Sequence, residues 1–586
     1  MGKNLIITEK PSVAQEFAKV LHVNGRGDGY IENQDYVISW CVGHLVGLVY
    51  PESYDIKYKK WKLEDLPFLP KDYKYDVIPS VRKQYDIVHG LLQRDDIDRV
   101  YWAGDAGKEG QTIEENIRNF GGVRDGMEEL RVWIDSQTQE EILRGIKEAK
   151  PMSEYENLGK SGIMRTIEDY AMGINFSRVM SVKYGNLLNG AAATKSYTAI
   201  AVGRVMTCVL GMVVIREREI RNFKETPFYR VIGKFSDAQI EAEWKAVEGS
   251  KYFESPLLYK ENGFKERKYA EELAAFLSEP LPAEGTVESI ERKKETKNPP
   301  LLYNLAEIQN ECSKLFKISP DQTLNIIQEL YEKKLVTYPR TDARVLSTAV
   351  AKEISKNISG LQYYQPCSVF AQNILKQQSY KNLAKTKYVD DKKITDHYAI
   401  IPTGQGLNGL AKQKPINQKV YMLIVRRFLS IFYPPAIYKK ATLVGVMPAT
   451  FSDGTTTTEH FSSNFKILAQ KGYLEIAGVP SKKKATDNKT DNKSDKKTNE
   501  EKAKEELENE NSINEEAELD EEFFKLLYNM PKGGKITVNE MSIKEGETTP
   551  PKRYTSGSII LAMENAGQLI EDEDLRAQIK GSGIGT

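Results

Sequence analysis

Cysteine is scarce, with four in 586 residues. Cys41, Cys208, Cys312 and Cys367 lie far apart and form no CxxC pair. That excludes a zinc ribbon and a disulfide framework and fits a reducing cytoplasm. No apolar run is long enough for a membrane-spanning helix. The opening "MGKNLIITEKPSVAQEF" also lacks the basic-then-apolar pattern of a signal peptide. Net charge is lacking too: 83 basic side chains face 83 acidic ones. A zero balance argues against a nucleic-acid partner only if charge is spread evenly, and here it is not. The segment 481–522 carries nine lysines against fifteen acids, so the remainder is mildly basic. With almost no apolar residues that segment cannot bury a core and reads as a disordered insertion or linker. No internal repeat recurs.

What is present is organised as α/β at the start. "NLIIT" is an apolar, β-branched run; Glu9 and Lys10 follow, and Pro11 suits the first turn of a helix through "SVAQEFAKVL". "IDRVYWAG" followed by "DAGKEGQTIEENIRNF" repeats the strand-turn-helix pattern. Two strands that each end in an acid before a helix predict a parallel sheet, whose ligands bind beyond the carboxyl ends of the strands. Glu9, Asp105 and Glu109 are thereby expected at one edge. Residues 154–182 are helical in pattern and 223–287 alternate as half-buried strands do. "LLYNLAEIQNECSKLF" and "ISPDQTLNIIQELYEKKL" read as two helices joined by a turn, the second with Ser319 as N-cap, Pro320 next and Gln322 three residues after the cap. That arrangement resembles a helix-turn-helix.

The glycine-rich "GDAGKEGQ" is not a nucleotide cradle. A Walker A loop needs Ser or Thr after its Gly-Lys, and here Gly107-Lys108 precedes Glu109; a Rossmann GxGxxG is absent as well. A magnesium site of two or three carboxylates at strand ends fits better, since that ion keeps several waters. Taken alone, the stretch is better accounted for by a glycine-rich turn with solvated charges.

"KKLVTYPRTD" is the most informative segment. Tyr338 precedes a proline and is biased towards an extended conformation, so Arg340, two residues on, can face the same way. Forming phenolate at pH 7 from a phenol of pKa about 10 costs roughly 4 kcal/mol. A guanidinium nearby lowers that cost and can grip a phosphate with paired hydrogen bonds. The chemistry suggested is a tyrosine attacking a phosphodiester, but among the chain's 31 tyrosines a packed or turn tyrosine is the reading these residues alone favour.

At this point the sequence resembles the type IA DNA topoisomerases, and more closely their bacterial topoisomerase III branch. "LVTYPRTD" is similar to that family's active-site signature, "LIITEKPSVA" to its opening motif and "GDAGKEGQ" to its Toprim acidic motif. "RTIEDYAMGINFSRV", "AVGRVMTCVL", "DHYAIIPTG" and "PPKRYTSGSIILAMENAG" match further segments in the family's order. The resemblance covers nearly the whole chain outside the charged segment.

The resemblance implies an ATP-independent enzyme that cuts one DNA strand through a 5′-phosphotyrosine on Tyr338, passes a strand and reseals, relaxing negatively supercoiled DNA or unlinking DNA. Arg340 would steady the scissile phosphate, Glu9 would serve proton transfer and metal binding, and Lys10 would stabilise the phosphorane. Glu9, Asp105 and Glu109 would hold Mg²⁺, and His397 would contact phosphate. Trp61, Arg165, Asp169, Asn175, Ser177, Arg178, Gly203, Arg204, Val205 and Thr207 fall in motifs that line a single-strand groove, contacting phosphates without reading sequence. A monomer without a nucleotide cofactor is expected.

The chain departs from the family pattern at four places: Gly107 stands at the second acidic-motif aspartate and Gln111 at its last glutamate, while Met206 and Cys208 stand where Gln and Pro are usual. "GSGIGT" ends inside a motif that normally continues, so the competing expectation is a truncated, catalytically impaired relative that only binds single-stranded DNA. Another Toprim enzyme, a primase or nuclease, is a third reading that "TYPRTD" argues against. The fold expected is a multidomain toroid of mixed class. Its parts are a Toprim α/β domain at 1–150, a helical groove domain at 151–222, a β-rich arch at 223–288 and a helical tyrosine domain at 289–412. The arch resumes at 413–480, the charged insertion occupies 481–522, and 523–586 end the arch and return to the groove domain.

Overall fold

The computed structural model describes residues 2–192, 196–235, 240–278, 281–394, 397–479, 517–518, 521–566 and 584. The charged segment expected at 481–522 therefore lies almost wholly outside the described residues, as does most of "GSGIGT". The chain forms two compact units: one holds Met1–Met212, Pro300–Phe432 and Thr555–Thr586, the other Val213–Pro299 and Tyr433–Tyr554. Among the described residues no helix is long and apolar enough to cross a membrane.

The first unit opens on a seven-stranded sheet. Its strands are β1 (Lys3–Thr8), β2 (Gly25–Arg26), β3 (Tyr30–Glu32), β4 (Tyr36–Trp40), β7 (Ile97–Ala103), β8 (Glu128–Arg131) and β9 (Lys150–Pro151), and β5 (Val46–Leu48) pairs separately with β6 (Tyr75–Val77). The order is β2-β3-β4-β1-β7-β8-β9. β1 runs parallel to both β4 and β7, and β7 runs parallel to β8, so the core of the sheet is parallel as its sequence predicts. Alternation sorts β1 onto two faces. Leu5 and Ile7 pack with Trp102 beneath α2 (Arg82–Leu92) and α3 (Lys108–Gly121), while Ile6 packs with Phe17 and Ile142 of α1 (Pro11–Val20) and α4 (Gln139–Lys147). Phe17 is fully buried there, and truncating it to Ala removes ~3–5 kcal/mol.

Two long helices follow, α5 (Glu156–Ala191) and α6 (Arg204–Asn222). Gly159 and Gly162 of α5 are buried against Glu115 and Thr112 of α3, so close that a Cβ at either position would collide with those side chains. The helices Leu305–Phe316 and Pro320–Glu332 form as read, and Ser319 and Gln322 make the reciprocal capping box. Tyr338 lies just beyond the second helix, where Thr337 N–H donates to the Ile401 carbonyl.

The second unit is a nine-stranded sheet of β10 (Pro227–Phe235), β11 (Ile240–Lys245), β12 (Leu258–Lys260), β13 (Gly263–Phe264), β14 (Ala283–Lys297), β15 (Ala436–Thr450), β16 (Thr456–Gln470), β17 (Ala517–Glu518) and β18 (Lys535–Glu547). The helix Arg267–Leu277 packs on its core of Val231, Phe235, Trp244, Phe264 and Phe461. The segment from 413, expected among the strands, opens instead with the helix Pro415–Ser430 in the first unit. Val420, Tyr421, Ile424, Val425, Phe428 and Leu429 are buried at helical spacing, and Pro415 starts the first turn.

Candidate active site

Parallel pairing decides which acids meet. β1 and β7 are neighbours in register, Thr8 beside Ala103, so the residues just past each strand end emerge side by side. Glu9 and Asp105 are both buried there, and Asp105 N–H donates to Glu9 Oε2 at 3.3 Å. Lys10 Nζ sits 3.1 Å from Asp105 and 3.4 Å from Glu9. Burial, then the charge of Asp105, pushes the Glu9 carboxyl above its ordinary range despite Lys10. Burial works against the Lys10 ammonium, but Asp105 and Glu9 outweigh it and raise its pKa.

The turn carrying Asp105 is clamped from beneath. The Arg131 guanidinium is fully buried and donates to the carbonyls of Trp102, Gly104 and Asp105 at 3.1, 2.9 and 2.9 Å. Gln111 accepts from Arg131 at 3.0 Å and donates to Glu115 at 3.0 Å, while Glu114 ion-pairs with Arg131 at 3.2 Å. Burial pushes the Glu114 carboxyl up to about 7 against the pull of Arg131. Gly110 explains the tight spacing of "GDAGKEGQ", because a Cβ there would run into the Asp105 carbonyl oxygen.

Glu109 does not join the other two acids. It stands on the first turn of α3, largely exposed, and ion-pairs with His44 at 2.8 Å. The His44 hydrogen bond, then the charges of His44, Arg340 and Arg165, hold its carboxyl below the usual range. Among the described residues no three His, Cys, Asp or Glu side chains are grouped to hold a metal ion. Glu9 and Asp105 nonetheless form a two-carboxylate pair in which burial and mutual repulsion favour a bound cation, and a largely hydrated magnesium needs no more.

Tyr338 is 5% exposed. Its phenol is pushed well above the ordinary range, by burial first and then by Asp105, while Arg340 pulls it back through charge and a hydrogen bond; Glu9 adds a smaller upward push. Its ring lies 4.5 Å from that of His397 and 5.5 Å from that of Tyr331. Tyr338, Arg340, Glu9, Lys10, Asp105 and His397 therefore share one neighbourhood.

The groove residues divide by environment. Arg165 and Thr207 are exposed, and Val205 and Gly203 are half-buried. Arg204 pairs with Asp169 at 2.9 Å. Ser177 Oγ accepts from Val202 N–H at 2.9 Å. Asn175 accepts from Phe68 N–H and donates to its carbonyl, at 2.5 and 2.9 Å. Arg178 is buried, donates to the Tyr58 carbonyl at 3.0 Å and stacks 5.4 Å from the exposed Trp61 ring. Asn175 and Arg178 thus tie the loop before α2 to α5. Sequence reading missed His44, Arg131, Glu114 and Asp135. Only His44, one of five histidines, set between glycines in "VGHLVG", carried a visible signal.

Against this geometry the comparisons with known proteins are consistent. Residues 153–586 match the family described as DNA topoisomerase, and residues 4–136 match the Toprim domain. The chain belongs to this topoisomerase family, enzymes that cut DNA and pass strands, and its first sheet is a Toprim domain, a fold that generally binds Mg²⁺ in topoisomerases. In detail it is similar to DNA topoisomerase 3 of Bacillus anthracis, 31% identical over all of this chain and 71% of the relative. It is likewise similar to DNA topoisomerase 3 of Shouchella clausii, 33% identical over all of this chain and 70% of the relative. The fold is shared with full-length topoisomerase I from Thermotoga maritima, at a TM-score of 0.61 and 19% identity, covering 98% of this chain and 77% of that one.

Proposed function

We propose that this topoisomerase cleaves one DNA strand through Tyr338, forming a 5′-phosphotyrosine, and that it relaxes negatively supercoiled DNA or unlinks DNA as a monomer without a nucleotide cofactor. The observation that carries the reading is the Tyr338 hydroxyl set under the charges of Arg340, Asp105 and Glu9 beside the carboxyl ends of β1 and β7.

In the forward step the Tyr338 phenol gives up its proton to water, its oxygen bonds to phosphorus and the bond from phosphorus to the 3′ oxygen breaks. Arg340 favours the phenolate and holds a non-bridging oxygen. Glu9, whose carboxyl is raised by burial, is suited to hand a proton to the departing 3′ oxygen and to take it back on resealing. Lys10 spreads positive charge over the pentavalent phosphorus, and His397 donates to a phosphate oxygen. The phosphotyrosine preserves the phosphoester, so resealing needs no external energy. Glu9 and Asp105 would hold Mg²⁺, which supplies positive charge at the reacting phosphate. Glu109 would take part only by leaving His44. Arg165, Arg204 and Thr207 line the single strand with Trp61 as a stacking surface, and Asn175, Ser177 and Arg178 support that surface from within.

We place the protein in a reducing cytoplasm, which suits four free thiols, Cys41, Cys208, Cys312 and Cys367. The domain reading becomes a Toprim part at 1–150, groove and tyrosine parts in the first unit, and the arch in the second. The shared neighbourhood of Tyr338, Arg340, Glu9 and Asp105 supports the active reading over the impaired, binding-only alternative. The test is relaxation of a negatively supercoiled plasmid with and without Mg²⁺, using the chain and Tyr338→Phe. Relaxation that needs magnesium and vanishes in the variant is expected. Relaxation that survives in the variant sinks the assignment of Tyr338.

A further inference from the structure

His397 is buried beside Tyr338, yet its two ring nitrogens are both committed. Nδ1 meets the Asp135 carboxylate and Nε2 meets the Ala106 carbonyl oxygen, each in a hydrogen bond. Both partners are acceptors, so the ring is held between two oxygens, one from a side chain and one from the backbone. The ring plane is fixed as well: Trp133 stacks on it at 6.1 Å and 16°. The His397 backbone is pinned by Thr341 Oγ1, which donates to its carbonyl at 2.8 Å.

Asp135 holds more than the imidazole. Its backbone carbonyl accepts the Tyr338 N–H at 3.0 Å, and its own N–H donates to Glu141 Oε1 of α4 at 3.2 Å. One residue of the Toprim domain therefore locks the amide of the nucleophile, the ring of the phosphate-contacting histidine and the first turn of α4. Its carboxylate is partly open to solvent while the His397 ring is not.

We infer that Asp135 is a positioning residue for cleavage: its carboxylate fixes His397 through Nδ1 so that the Nε2 N–H, parked on the Ala106 carbonyl without DNA, is presented to a non-bridging oxygen of the scissile phosphodiester. The phosphate takes over a hydrogen bond already aimed at the turn that carries Asp105, so little reorientation accompanies the chemistry. The same logic governs histidines elsewhere, whose working nitrogen is set by the bond its other nitrogen makes. Asp135 acts through His397 and touches no substrate. The inference rests on the assignment of Tyr338 and His397 above.

The test is single-turnover formation of the covalent complex on an end-labelled single-stranded oligonucleotide, with the full chain, Asp135→Asn, His397→Gln and the double variant. Affinity is read separately in a Tyr338→Phe background, and folding by thermal unfolding. Asp135→Asn is expected to slow adduct formation by roughly 10–100-fold, the loss typical when the orienting partner of a functional histidine is removed. Affinity and unfolding midpoint should stay near those of the parent. The double variant should be no slower than His397→Gln alone, because the two residues act as one unit. Losses that multiply in the double variant overturn the inference, as does a wild-type rate in Asp135→Asn. A fall in affinity and midpoint that accounts for the whole rate loss overturns it too, leaving Asp135 a purely structural tie. If the parent itself forms no adduct, the reading of Tyr338 fails first, and the two failures are thereby distinguished.

Discussion

Replacing Arg340 by Gln isolates the step the site is built around. The Tyr338 phenol starts from an unfavourable position: burial comes first and Asp105 second in raising it, and Glu9 adds to them. Arg340 opposes all three through charge and a hydrogen bond. A hydrogen bond to an ionised partner is worth ~1.5–3 kcal/mol, and each 1.4 kcal/mol or so is tenfold in rate. Arg340→Gln should therefore slow covalent-complex formation by roughly 10–150-fold. Arg340→Lys keeps the charge, loses the two-pronged grip and should fall between the two. The assay is single-turnover cleavage of a labelled oligonucleotide between pH 7 and 9. A phenol raised above its ordinary range is ionised only as a minority species there, and its gain with pH is offset in the parent by the loss of protonated Glu9, the proton donor. In a Glu9→Gln background, where that offset is removed, the rate should climb about tenfold per pH unit if phenolate forms before attack. Arg340→Gln should lower that line without flattening it. A variant as fast as the parent, at equal affinity, would refute the role of Arg340. A pH-independent rate in the Glu9→Gln background would refute a preformed phenolate and place proton removal within the attack.

Gln111→Glu, which restores the family's acid, should destabilise by ~1–3 kcal/mol without tightening magnesium, since Gln111 donates to Glu115 in the buried layer beneath the turn; unfolding by denaturant and a magnesium titration check both halves. Glu114 has a folded pKa raised from 4.5 to about 7, so its contribution is present at acid pH and lost as pH rises through that interval, by about 3 kcal/mol. Glu114→Gln should flatten that part of a stability–pH curve. Glu109→Gln frees His44 and removes a negative charge near Arg340 and Arg165, and should tighten single-strand binding several-fold in EDTA; unchanged metal-free binding with a raised magnesium requirement would make Glu109 a ligand after all.

The part of the site that can be read from sequence is the part set by strand ends. Glu9 and Asp105 meet because parallel strands bring their carboxyl ends level, and "NLIIT" and "VYWAG" announce such strands. Glu109 escaped that logic because α3 begins at Lys108, and one helical turn points its side chain to His44. Arg178 carries a charge that sequence assigns to phosphate, whereas the fold buries it under Trp61 and the Tyr58 carbonyl. Asp135 was invisible because its partner His397 is 262 residues away and Asp135 itself belongs to no local pattern. The helix Pro415–Ser430 was hidden by β-branched and aromatic content that suits either structure, and only its 3–4 residue spacing separates them.

The two units share a chain that leaves the first at Met212, returns at Pro300, leaves again after Phe432 and returns at Thr555. On a ribosome this order matters. β10 emerges early, but its partner β18 is paired from Pro227 to Glu547, so the strand waits for some three hundred residues of further synthesis. At ~5–20 residues per second that is roughly 15 s to a minute with one edge of β10 open. Tyr338 is likewise made long after Glu9 and Asp105, yet before its neighbour His397. The nascent chain thus carries Glu9 and Asp105 well before Tyr338, and the sheet of the second unit cannot close before β18 is made, ahead of the segment from Thr555 that belongs to the first unit.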